Sequence, residues 1–242
     1  MFDGFDFTVL TFILIDIQRT FAIDAVLAGL LGTVTLVMRL VGGVVSGAMA
    51  DKWGRKLPLM LSILWLSTFA FLSGFSTSYT MLFALRALFG IGMGGVWAAG
   101  MPLTLEHWPA HLRGTASGLL QGGFAWGFIL AAFAFRFLYP MFSGAGDLGW
   151  RVMFSVGIVP VLLVPWIRAR VPESPVWLER RKLMAASGRS ERPPFVRLFQ
   201  RDLIGTTVQC AALMTAFMFS YYAITFWYAT LLRAREIGRA HV

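Results

Sequence analysis

Apolar residues in this chain fall in long unbroken blocks rather than in the alternating or one-sided stripes of a soluble fold. Seven such blocks, bounded by charged or turn-forming residues, predict seven helices: Phe2 to Ile17, Ala25 to Ala50, Leu57 to Phe75, Tyr79 to Leu103, Thr115 to Tyr139, Trp150 to Ile167 and Leu203 to Leu232. A helix needs ~20 apolar residues to cross a bilayer, so the chain reads as an all-α membrane protein. The first block is short for a span and opens without a polar flank, which fits Met1 being an internal residue of a longer sequence; no signal peptide is read there.

The connections between the first six blocks are short, which makes neighbours antiparallel and gives a six-helix bundle over residues 1–168. Residues 169–201 carry Pro172, Pro175, Pro193 and Pro194 and much of the charge, and read as a linker. The seventh helix occupies 202–236, and residues 237–242 read as a non-native tail.

Composition sharpens the membrane assignment. Hydrophobic residues make up 57% and charged residues 14% of the chain, against roughly 45–50% and 25% in soluble domains. The net charge of +9 does not point to nucleic acid, because the basic residues sit between apolar blocks rather than along one stripe. They set orientation instead. Lys52, Arg55 and Lys56 follow the second block, Arg113 the fourth, and Arg168, Arg170, Arg180, Arg181 and Lys182 the sixth, against Arg19, Arg136 and Arg151 on the other side. Loops rich in Lys and Arg stay in the cytoplasm, so the amino terminus and the linker are expected there, in an inner (plasma) membrane.

Motifs of soluble enzymes fail in context. The run Gly90-Ile91-Gly92-Met93-Gly94-Gly95 satisfies G-x-G-x-x-G, yet it lies mid-span with no preceding strand. Its glycines read as a helix-packing seam, like Gly114, Gly118, Gly122 and Gly127 in the fifth block. His107 and His111 are four apart, but Glu106 precedes rather than follows the first, so no zincin motif forms, and Cys210 is alone. With no nucleophile and base in one motif, an enzyme is not expected, nor is a metal or cofactor.

The charges inside the blocks carry more information. An ionisable side chain at the bilayer centre costs at least ~2.5–3.5 kcal/mol, so Asp3, Asp6, Arg39 and Arg86 each require a partner or an aqueous cavity. Counting ~1.5 Å per residue from the outer helix ends puts Asp3 and Arg39 ~22 Å deep, Asp6 ~18 Å and Arg86 ~11 Å. Asp3 and Asp6 also share a helix face. A buried aspartate can be neutral at one stage and ionised at another, which suits a proton carrier, whereas an arginine stays charged and can grip a carboxylate with two hydrogen bonds. Asp3 or Asp6 is therefore expected to carry a proton, with Arg39 either its partner or the receptor of an anionic solute. Arg86 either joins the proton path or snorkels outward. Gln121, Trp126, Tyr221 and Tyr222 offer hydrogen bonds and aromatic faces to a small solute.

The segment Gly47-Ala48-Met49-Ala50-Asp51-Lys52-Trp53-Gly54-Arg55-Lys56 fits G-x-x-x-D-x-x-G-R-K and resembles the signature of the major facilitator superfamily. Physically, Gly47 would allow close helix packing, Asp51 faces a helix end and Gly54 permits a tight turn. Arg86-x-x-x-Gly90-x-Gly92 resembles a second motif of that superfamily, and Pro172-Glu173-Ser174-Pro175-Val176-Trp177-Leu178 resembles the segment after its sixth helix. Asp3-Gly4-Phe5-Asp6-Phe7 and Glu106-His107-Trp108-Pro109 are similar to the organic-anion branch, near sialate:proton symporters and carboxylate carriers.

This resemblance implies a first bundle built as two inverted three-helix repeats, a gate formed by Gly47, Asp51, Gly54, Arg55 and Lys56, protons as the coupling ion, and Arg86 in the proton path. The Gly-Pro pair of drug antiporters is replaced by Gly122-Gly123-Phe124, which favours symport or uniport. The expected function is proton-coupled symport of a small organic anion, sialate-like or lactate-like. The alternatives are a sugar or uncoupled metabolite carrier and a transport-like membrane sensor. The expected partners are that anion, the lipid bilayer, and further helices needed to complete a carrier, without which residues 1–242 are not expected to transport.

Overall fold

The computed structural model describes residues 1–144, 146–187 and 199–234, with backbone alone at 187 and 222–234. The chain forms two compact units, Met1–Ser190 and Glu191–Val242. Tyr222, the tail 237–242 and linker residues 188–198 lie outside the described side chains.

Helices α1 (Phe2–Phe21), α2 (Ala25–Trp53), α3 (Lys56–Ser73), α4 (Tyr79–His107) and α5 (Arg113–Phe137) make up most of the first unit. A short α6 (Tyr139–Ser143) leads to the sixth crossing, which is interrupted: α7 (Leu148–Ser155), a 3-10 run over Val156–Leu162, and α8 (Leu163–Arg170). Helix α9 (Pro175–Ser187) lies within the stretch read as linker. The second unit contains α10 (Ile204–Ala234).

Local chemistry marks the boundaries. The Asp24 carboxylate caps α2 by accepting from the Leu27 amide at 2.8 Å, and the Ser78 hydroxyl caps α4 through Met81 at 3.2 Å. Helix α1 runs a turn beyond the expected Ile17, because its polar end finds partners: Thr20 donates to Asp147 at 2.8 Å and receives the Trp150 indole at 3.1 Å, while Tyr139 donates to Asp16 at 2.7 Å. Burial, and then the Asp16 carboxylate, push the Tyr139 hydroxyl up to about 12, so it remains a donor at any physiological pH.

Six helical stretches among the described residues are long and apolar enough to cross a membrane, including Leu148–Arg170 and Ile204–Tyr221. Helix α1 is not among them, since Asp3, Asp6, Asp16 and Arg19 dilute its hydropathy; it is held by protein contacts instead, with Val9, Ile13 and Ile17 fully buried. The chain is a multi-pass membrane protein with no strand among its described residues.

Packing follows an internal exchange. Helix α2 packs on α4, α1 on α5, and α3 on the interrupted sixth crossing. Swapping α1 with α4, α2 with α5 and α3 with the sixth crossing turns the first contact into the second and leaves the third unchanged, as two inverted triplets require. The α2–α4 crossing is the tightest: a β-carbon at Gly42 would fall on the Ile91 carbonyl, one at Gly90 on the Thr35 carbonyl, and one at Gly94 on the Arg39 carbonyl. On its other face α4 meets α3, with Gly92 against Leu66 and Gly95 against Ser62. The glycine run is thus a two-sided packing seam, as its mid-span position predicts.

The expected seam on α5 is corrected. Only Gly127 meets α1 there, where a β-carbon would strike the backbone of Met1 and Phe5; Gly114, Gly118 and Gly122 face open space. Gly47 likewise faces open space, so it makes no close helix contact among the described residues. Small residues permit close approach without enforcing it, and sequence spacing alone cannot tell which faces are occupied.

Gly94→Val should therefore destabilise the unit by more than ~2 kcal/mol, since the α2 backbone itself must move, whereas Gly118→Ala should stay within ~0.5 kcal/mol. Thermal unfolding of the purified chain in detergent would compare the two; equal stabilities would contradict this packing.

Candidate functional site

Two polar clusters stand out in the first unit, one within the bundle and one at the end that carries Lys52, Arg55 and Lys56, here termed the basic end. The inner cluster begins with Arg86, which is fully buried. Its Nη1 donates to Asp6 Oδ2 at 2.7 Å, while Nε and Nη2 donate to Ser73 Oγ at 3.2 and 3.0 Å. The guanidinium lies between the rings of Phe89 and Phe154, 4.4 Å from each centroid. Helix α1 supplies the acid, α3 the hydroxyl, and α4 the base. Removing one partner of such a buried pair would leave an uncompensated charge, at a cost of ~3–5 kcal/mol.

Asp3 lies one turn from Asp6 on the same face and is also buried. Trp97 lines the same cavity as Asp3, and Arg39 is near enough for its charge to act on the carboxylate. Arg39 sits over the Trp97 ring at 5.6 Å and makes no ion pair among the described residues. The cluster therefore has two tiers: Asp6, Arg86 and Ser73 toward the Ser73 end of α3, and Asp3, Trp97 and Arg39 toward the basic end.

Of the alternatives that the sequence left open, Asp6 is paired with Arg86 rather than with Arg39, and Arg86 points into the bundle rather than snorkelling. Counting Cα levels placed Arg86 too shallow because its side chain spans the remaining height, and because Ser73 and two aromatic rings hold it inward. Gln121 and Trp126 are exposed on α5, outside the buried cluster. Tyr221 lies on α10 in the second unit. Sequence reading missed Trp97 and Ser73. Trp97 follows Arg86 by eleven residues, about three full turns, so it occupies the same face of α4, and that spacing was available.

At the basic end the signature residues form a network. Asp51 accepts from Arg55 at 2.6 Å, and Arg55 reaches Glu106 on α4 at 3.6 Å. Glu106 in turn accepts from the Ser174 hydroxyl. Glu173 receives the backbone amides of Arg55 at 2.8 Å, Lys56 at 3.2 Å and Ser174 at 2.9 Å. Gly54 has φ 98°, and a β-carbon there would meet the Glu173 carboxylate, so the turn needs glycine for both conformation and space. The Trp177 indole donates to the Asp51 carbonyl at 2.9 Å, and Lys56 donates to the Arg168 carbonyl at 2.8 Å. The α2–α3 turn, the end of α4 and the start of α9 are thereby tied together. Asp51, Gly54, Arg55 and Lys56 all take part; Gly47 does not.

The sequence matches the family described as Major Facilitator Superfamily over residues 1–238. It is 35% identical over 236 residues to a probable 4-methylmuconolactone transporter of Cupriavidus pinatubonensis, covering 98% of this chain and 54% of that protein. It is 42% identical over 179 residues to the sialic acid transporter NanX of Escherichia coli, covering 74% and 43%. A cis,cis-muconate transport protein of Acinetobacter baylyi is 32% identical over 98% of this chain and 56% of that protein. The chain spans about half the length of these curated relatives. In fold it is similar to the inward-open xylose transporter XylE of Escherichia coli, with a TM-score of 0.64 at 23% identity over 78% of this chain and 50% of that one.

Glu173→Ala should leave the Arg55 and Lys56 amides without their acceptor. Hydrogen exchange at these two amides should speed up by about tenfold, the equivalent of ~1.4 kcal/mol; unchanged exchange would show that Glu173 does not hold the turn.

Proposed function

The chain belongs to the major facilitator superfamily, and on that premise we propose that it supplies the coupling half of a proton-driven symporter for a small organic anion in an inner (plasma) membrane, with the basic end of the bundle in the cytoplasm. The observation that carries this reading is the 2.7 Å contact between Asp6 and the fully buried Arg86. Asp6 is the group whose charge can change, and Arg86 is the fixed charge that makes the change consequential.

Charge balance then couples proton to solute. With Asp3 and Asp6 ionised, the two carboxylates offset Arg39 and Arg86, and the interior is neutral. A proton on Asp6 alone leaves Arg86 without its counter-charge in a low-dielectric interior, which is costly. A monocarboxylate arriving with the proton restores neutrality. Arg39, half-buried and facing an indole, is the guanidinium that can take this carboxylate with two parallel hydrogen bonds while Trp97 covers one side of the solute. The names of the relatives, which include muconate, sialic acid and benzoate transporters, favour carboxylates over neutral sugars. Asp51, Gly54, Arg55 and Lys56, clasped by Glu106 and Glu173, act as the gate at the cytoplasmic end, because the contacts that join the α2–α3 turn to α4 and α9 must loosen if those helix ends separate.

In a full-length carrier bearing this segment, Asp6→Asn should abolish proton-driven accumulation while sparing solute exchange, and Arg39→Lys should raise KM by about tenfold through loss of the bidentate grip. Uptake assays in vesicles with and without a pH gradient measure both; pH-dependent uptake retained by Asp6→Asn would remove the pair from the mechanism.

A further inference from the structure

Swapping α1 with α4, α2 with α5 and α3 with the sixth crossing relates the two ends of the first unit as well as its packing. At the basic end, the turn between α2 and α3 is held by the end of α4, through Glu106, and by the segment that follows the sixth crossing, through Glu173. The swap sends these three parts onto the connection between α5 and the sixth crossing, the end of α1, and the segment that follows α3. All three lie at the opposite end of the unit, here termed the far end, and they do meet. From the end of α1, Asp16 accepts from the Tyr139 hydroxyl at 2.7 Å, and Thr20 donates to Asp147 at 2.8 Å while accepting from the Trp150 indole at 3.1 Å. From the segment after α3, the Gly74 and Ser76 carbonyls accept from Arg151 Nη1 at 3.0 and 2.7 Å.

The residues repeat with the geometry. Asp51-Lys52-Trp53-Gly54-Arg55 at the basic end and Asp147-Leu148-Gly149-Trp150-Arg151 at the far end share an acid, a base four residues on, and a glycine and a tryptophan between them. Each run has a glycine that a β-carbon would block, Gly54 against Glu173 and Gly149 against the Tyr139 ring. The polarity is reversed: at the basic end a carboxylate collects backbone amides, and at the far end a guanidinium collects backbone carbonyls. The Asp147–Arg151 pair is 3.9 Å long and Asp147 is exposed, so the carbonyl bonds rather than the ion pair carry the hold there.

We propose that Asp16, Thr20, Tyr139, Asp147, Trp150 and Arg151 form a second latch, at the far end, that works against the one at the basic end. Helix α1 is its moving arm, as α4 is at the basic end, and the carrier opens at the far end only when these contacts let the end of α1 swing away. This rests on the reading of the basic-end network as a gate. Two latches on one alternating equilibrium have a consequence that two fixed staples lack. Weakening one raises the population open at its own end and thereby lowers the population open at the other.

The test uses a full-length carrier bearing this segment, made cysteine-free (Cys210→Ser here) and given one reporter, either Ile17→Cys on α1 or Leu103→Cys on α4. Both positions are buried, and they stand three residues before Thr20 and Glu106 respectively. A membrane-impermeant maleimide is applied to reconstituted vesicles from the reporter's own side. Arg151→Gln should speed modification of the Ile17→Cys reporter and slow that of the Leu103→Cys reporter, changing their ratio by about tenfold. Tyr139→Phe, which deletes a single hydroxyl, should act in the same direction. Arg55→Gln should do the reverse, and Arg55→Gln combined with Arg151→Gln should return the ratio to within about twofold of its starting value. Faster far-end modification with an unchanged basic-end rate would make the far-end contacts a local staple and overturn the latch, as would no change at either reporter. No effect of Arg55→Gln, with Arg151→Gln acting as stated, would overturn the basic-end gate and leave the far-end latch standing.

Discussion

Arg86 is a permanent cation with no access to solvent, and the first unit is arranged around neutralising it. A guanidinium in hydrocarbon is tolerated only with a counter-charge and with its remaining donors satisfied. Asp6 provides the first and Ser73 the second, and the flanking rings of Phe89 and Phe154 exclude water. Three helices must converge for this to happen. Helix α1, too polar to qualify as a span by hydropathy, is retained in the bundle by the same interaction and by its apolar stripe of Val9, Ile13 and Ile17.

Convergence of that kind demands thin helices. The glycines of α4 let its backbone approach α2 on one side and α3 on the other, which brings Arg39 and Trp97 into one tier and Arg86 and Ser73 into the next. Packing and electrostatics are therefore one problem here: a bulkier α4 would hold the fixed charges apart, and without Asp6 the buried Arg86 would lack its counter-charge. At the basic end, a second set of ion pairs binds the α2–α3 turn to α4 and α9, so the bundle is fastened both at its centre and at one rim. Open space beside Gly47, Gly114, Gly118 and Gly122 leaves α2 and α5 with small-residue faces that no described residue of the first unit covers.

Much of this was legible in the residues. Apolar blocks located the helices, and the rule that intramembrane charge needs a partner singled out Asp3, Asp6, Arg39 and Arg86. Pairing was not legible, because depth counted along Cα atoms ignores the reach of an arginine side chain and the pull of Ser73. Nor was the break in the sixth crossing, where Pro160 and Gly157 shape a 3-10 run against Ala70 that hydropathy cannot register. The docked helix α9 was hidden in a charged stretch whose key contacts, from Glu173 to the backbone of Arg55 and Lys56, involve no sequence periodicity. The polar last turn of α1 was missed for a related reason: Asp16 and Thr20 look like an exit from the membrane until Tyr139 and Asp147 are seen to meet them.

The proposed symport requires the charges of two buried acids and two arginines to balance in the interior, so that one proton accompanies one monocarboxylate. Charge displacement on a supported membrane, recorded together with tracer uptake in a full-length carrier bearing this segment, addresses this directly. Neutral symport should give uptake of a monocarboxylate with no sustained current and one proton per solute; a sustained inward positive current, or uptake without proton movement, would contradict it.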